Sequence, residues 1–110
     1  MQDSGKIDEV GTMSIAEALA RMNAFGFLNA VPADEVDTNT RGRLQRIADE
    51  RKEGALILSW GGKLYLPSKN PDIAVKEIAQ QIERLEAQAR GTDEARKGMQ
   101  KAARERYGKE

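Results

Sequence analysis

The chain has 110 residues, of which 39% are hydrophobic, 33% charged and 5% aromatic, with 18 basic and 18 acidic side chains balancing to zero. Cysteine and histidine are both absent, which excludes a disulfide framework, thiolate zinc sites, a catalytic cysteine and a Ser-His-Asp triad. No apolar run approaches the roughly 20 residues that span a bilayer, and the opening MQDSGKIDEVGT lacks the apolar core of a secretory signal. The expectation is a cytoplasmic protein with no membrane partner.

Zero net charge hides an uneven distribution. Residues 1–37 carry two basic and seven acidic groups, residues 38–69 seven basic and three acidic, and residues 70–110 nine and eight. From Arg96 to Lys109 only Glu105 is acidic among seven charges, so there are two positive zones, the middle third and this run, and a positive zone points to an anionic partner.

Residues 1–12 show no period and read as a flexible lead. Ser14 and Glu17 stand at capping-box spacing, and Ile15, Leu19, Met22 and Phe25 continue as one helical stripe to a stop at Gly26. Around Pro32 a short helix over 32–36 is expected. The next helix spans 38–53, with Asp37, Thr38 and Asn39 competing for its N-cap, Leu44, Ile47 and Ala48 as its apolar face and Gly54 ending it.

Residues 55–68, ALILSWGGKLYLPS, read as a hairpin turning on Gly61-Gly62, both of which can adopt the positive φ of a type I′ turn. This sets Trp60 against Lys63, Ser59 against Leu64 and Leu58 against Tyr65. One face is then Ile57, Leu64 and Leu66, suited to a core. Trp60 and Lys63 stand on the other face, at the tip.

A long helix follows, capped by Ser68 or Asn70 with Pro71 in its first turn. Val75, Ile78, Ile82, Leu85 and Ala89 make a heptad seam and the expected homodimer contact. After Gly91 comes a last, basic helix with few large apolar groups, expected to be solvated and frayed. The fold class is thus mainly α with one β-hairpin: a winged-helix-like domain over 13–69 and a helical extension over 70–110.

A basic helix running into a Gly-tipped hairpin is the order of a winged helix, in which that helix enters the major groove and the wing reaches phosphates. The expected contacts with double-stranded DNA are Thr38, Asn39, Thr40, Arg41, Arg43, Gln45 and Arg46 on the helix, with Trp60 and Lys63 on the wing. Arginine pairs with guanine and Asn or Gln with adenine, while Thr and Lys suit phosphates. No cofactor, metal site or catalytic pair is expected, and no enzyme.

Glu53-Gly54, Leu56 to Ser59, Gly61-Gly62, Tyr65 to Pro67, Asp72, Leu85 and Ala89-Arg90 together resemble small winged-helix proteins encoded by phages and prophages. The resemblance covers residues 44–91 and implies a DNA-binding regulator or accessory protein. It departs from the pattern between Phe25 and Asp37, where no clear second helix stands. The alternative is an interaction module, in which the winged helix is a scaffold for a host or phage protein partner.

Overall fold

The computed structural model describes residues 13–88 and 93–108, apart from the Thr40 side chain. The elements are α1 (Ile15–Arg21), a 3-10 turn (Phe27–Asn29), β1 (Val31–Pro32), α2 (Ala33–Val36), α3 (Thr40–Lys52), β2 (Leu58–Trp60), β3 (Lys63–Tyr65), α4 (Pro71–Gln88) and α5 (Asp93–Tyr107). The expected 1–12 lead and Ala89 lie outside the described residues. No described helix is long and apolar enough to cross a membrane.

The hairpin has the expected register, with Leu58, Ser59 and Trp60 opposite Tyr65, Leu64 and Lys63. Gly61 and Gly62 have φ of 58° and 80°, and an added Cβ would meet nothing within 4 Å at either. The glycines are therefore required by conformation, not by space. A third strand completes the sheet in the order β1-β3-β2, with Val31 against Leu64 and Pro32 against Lys63. The Gly62 carbonyl accepts the Ala33 N–H at 3.0 Å, tying the wing tip to the start of α2. The second helix is thus only the four-residue α2, placed by β1 rather than by a tight turn.

The sheet separates two cores. On one side Ile15, Leu19, Ala24, Ile47, Ile57 and Leu64 pack together, with Leu66, Val31 and Val36 at the margin. On the other, Leu56, Leu58, Tyr65, Ile78, Leu85 and Met99 form a second cluster under α4 and α5. A hairpin apolar on both faces near its base can be buried on both, and here it is. At about 1.5–3 kcal/mol per fully buried large side chain, the second cluster contributes on the scale of the first.

Several expectations are corrected. α1 stops after Arg21, because Asn23 takes the left-handed conformation (φ 57°) that ends a helix. Met22 is consequently exposed and Phe25 lies outside the helix. Half of the capping box forms: the Glu17 N–H donates to Ser14 Oγ at 2.9 Å, while the Glu17 carboxylate pairs with Arg21. On α3 the N-cap is Asn39, whose Oδ1 accepts the Gly42 N–H at 3.0 Å. Leu44 does not join the apolar face and is 63% exposed; Ile47 is buried between Arg43 and Arg51 instead.

The last helix is likewise no solvated appendage. Ala95 and Met99 are buried, and α5 packs on both α3 and α4. Gly98 makes the close approach possible: a Cβ there would lie 2.3 Å from the Arg51 carbonyl oxygen.

Candidate nucleic-acid interface

The expected DNA contacts separate into three groups. Thr38, Asn39, Arg41 and Gln45 are exposed around the start of α3. Asn39 is engaged as the cap, and the Gln45 Nε2 donates to Asp49 Oδ1 at 3.0 Å. Arg41 makes no hydrogen bond or ion pair among the described residues, so its guanidinium is open to a partner. Thr40 is in the first turn, its side chain not described.

Arg43 and Arg46 make the second group, and both are engaged within the chain. Arg43 is buried, donating through Nη1 to Asp34 Oδ1 at 3.2 Å and to the Asp37 carbonyl. Arg46 pairs with Asp37 Oδ2 at 2.7 Å and also donates to the Met13 carbonyl. Both arginines hold the α2–α3 connection closed. The acidic residues just before α3 are their counter-ions, which periodicity on α3 alone could not reveal.

The wing makes the third group. Lys63 is exposed, its side chain makes no hydrogen bond or ion pair among the described residues, and the residue borders a groove between the wing and α3. Trp60 packs towards α4, where the Arg84 guanidinium lies 4.8 Å from its ring centroid. It stays 55% exposed and lines a separate cleft with Phe27, Tyr65 and Glu77. Trp60 and Lys63, directly opposed in the hairpin, thus border two different clefts.

The groove beside Lys63 encloses about 380 Å³. α3 supplies Arg43, Leu44, Ala48 and Arg51 to its wall, the wing supplies Ser59, Gly62 and Lys63, and among the described residues no carboxylate lines it. Of these only Arg43 and Lys63 are among the expected DNA contacts; Leu44, Ala48, Arg51, Ser59 and Gly62 are not. Helical spacing sets the free Arg41 one turn before Leu44 and Gln45, on the flank of the same wall.

No protein-family model, curated protein sequence or solved structure matches the chain.

Ser59 is the junction that fixes the wing against the helices. Its N–H donates to Gln81 Oε1 at 2.8 Å, its carbonyl accepts from Arg84 Nη2 at 2.9 Å, and its Oγ lies 3.5 Å from Arg51 Nη2. Arg84 also donates to Gln81 Oε1 at 3.1 Å, closing a small ring of polar contacts. The wing is thus tied to α3 and α4 through a single residue next to its tip.

On α4 the expected dimer seam is largely used within the chain. Ile78 and Leu85 are buried in the second core. Val75 is exposed, and with Ile82 and Tyr107 it lines a groove of about 290 Å³ between α4 and α5.

Proposed function

We propose that this chain is a small duplex-DNA-binding protein that presents the N-terminal half of α3 and the tip of the wing to the double helix. The observation that carries the reading is the groove joining those two elements, lined by basic side chains and, among the described residues, no carboxylate. Arg41, with Thr38 and Gln45 beside it, faces base edges; Lys63 meets a phosphate across the groove. Arg43 and Arg46 hold the helix in place and make no base contact. The resemblance of residues 44–91 gives the setting, an accessory regulator of the phage and prophage kind.

Such binding rests on phosphate neutralisation. With about three phosphate contacts, a slope of about −0.9 per phosphate gives roughly a 40-fold loss of affinity between about 50 and 200 mM salt. Fluorescence anisotropy on a labelled random duplex measures this directly. Lys63→Ala should lower the salt slope by about 1, and Arg41→Ala should weaken binding by a further several-fold. Absent or salt-insensitive binding would overturn the proposal.

A second reading, the interaction module, is favoured by one observation: Leu28 on the 3-10 turn is 94% exposed, next to the half-exposed Phe27. It makes the cleft of Phe27 and Trp60 the contact surface. A partner bound there would shift Trp60 fluorescence and be indifferent to Arg41→Ala and Lys63→Ala.

A further inference from the structure

Arg51 stands in the last turn of α3 and is 7% exposed. Its Nε–H donates to the Ile57 carbonyl at 2.9 Å, and Nη2 reaches Ser59 Oγ only at 3.5 Å, the outer limit of a hydrogen bond. Among the described residues no carboxylate pairs with it. The charge that acts on it is Arg84, of like sign, and burial together with that repulsion pushes the guanidinium from 12.5 down to about 10. It therefore remains a cation at neutral pH.

Buried charges are ordinarily paired, because desolvation is not repaid by a carbonyl and a hydroxyl alone. One atom indicates where the missing partner belongs. Nη1 makes no hydrogen bond, yet no buried side-chain nitrogen or oxygen among the described residues lacks one. Nη1 is therefore not sealed in, and the space Arg51 borders is the groove. A guanidinium has five N–H groups; two are engaged here, leaving three for a ligand. Lys63 from the wing tip borders the same groove, and the Ser59 hydroxyl adds a further donor.

We propose that the groove is a phosphate-binding site, with Arg51 as its buried anchor, Lys63 as its outer clamp and Ser59 between them. The occupant is a phosphate group, whether a backbone phosphate of duplex DNA or the phosphate of a free small molecule. The guanidinium fork suits two oxygens of a phosphate, and the ammonium adds a movable point charge. The inference deepens the DNA-binding reading but can fail separately from it.

The test is nitrogen-15 NMR on the full chain, following the Arg51 Nε–Hε signal and the Ser59 and Lys63 amides. One arm titrates sodium phosphate against sodium chloride at constant ionic strength; the other titrates a 16-base-pair duplex. Saturable shifts at all three positions are expected in both arms, with phosphate affinity weakened about three- to tenfold in Lys63→Ala. Saturation by phosphate without any response to duplex supports the site, assigns it to a free phosphorylated molecule and overturns the DNA reading. Shifts at Thr38 and Arg41 with duplex, and none at Arg51 in either arm, overturn the site and leave the DNA reading standing. A phosphate response that does not saturate, or that Lys63→Ala leaves unchanged, also overturns the site. Silence in both arms overturns both. Arg51→Lys, checked by circular dichroism, should retain weakened phosphate binding if it folds; Lys63→Ala carries the test if it does not.

Discussion

Two glycines inside helices show how the identity of a neighbour decides the sign of a substitution. At Gly98 on α5, an added Cβ would lie 2.3 Å from the Arg51 carbonyl oxygen and 2.5 Å from that of Lys52, backbone atoms at the end of α3. Alanine gains about 1 kcal/mol of helix propensity, but overpacking against backbone costs about 3 kcal/mol. Gly98→Ala should lose about 2 kcal/mol in urea unfolding. At Gly42 the Cβ would meet the Asn39 side-chain amide at 2.7 Å. That group can swing aside, surrendering a cap worth about 1 kcal/mol, so Gly42→Ala should be near neutral. Tyr65 gives a pH-dependent counterpart. Burial first, then the charge of Glu77, raises its hydroxyl above the usual 10.0, with Arg84 opposing. The unfolded chain therefore loses this proton first, and its contribution is full below about pH 10 and lost as pH rises through the folded value. Urea titrations from pH 8 to 11 should show wild type losing stability relative to Tyr65→Phe only at the alkaline end.

At the scale of elements, carboxylates join segments remote in sequence. Glu50 on α3 points at the start of α1, where Oε2 accepts the Ile15 N–H at 2.7 Å and Oε1 the Ala16 N–H at 3.0 Å. Glu77 does the same for Phe27 and Ser68, at 2.9 and 2.8 Å. A negative charge on two free N–H groups at a helix start combines hydrogen bonding with the helix dipole. Glu50→Gln keeps one acceptor and should cost about 1–2 kcal/mol, whereas Asp49→Ala, on the exposed side, should cost under about 0.5 kcal/mol. Equal midpoints in urea would show that Glu50 is an ordinary surface charge. The hairpin was legible because its turn, register and alternation all lie within fourteen residues. α3 was only half legible. Its buried stripe is Arg43, Ile47 and Arg51, at four-residue spacing, and two arginines there read as a solvated face until their partners are known. α5 misled for the opposite reason, since Ala95, Gly98 and Ala102 pack closely by being small and leave little apolar signal.

For the whole molecule, the two-sided sheet bears on oligomeric state. A homodimer through Val75, Ile78, Ile82 and Leu85 would need all four side chains on one open face of α4. Ile78 and Leu85 instead meet Leu58, Tyr65 and Met99 within the chain. Releasing them would forfeit about 1.5–3 kcal/mol each and unpack α4 from the wing and from Met99 of α5. What α4 leaves outside is Val75, 47% exposed, and the edge of Ile82, well short of the several hundred Å² per partner that a stable interface buries. Sedimentation at about 10 μM should therefore give a single species of 12.2 kDa, unchanged by Val75→Lys. A 24 kDa species that Val75→Lys dissociates would restore the seam as the interface. On the proposed DNA-binding reading, a monomer would lack a two-fold axis and so require no palindromic site. Each chain would then contribute one copy of α3 and one wing, and specificity would come from a single short contact.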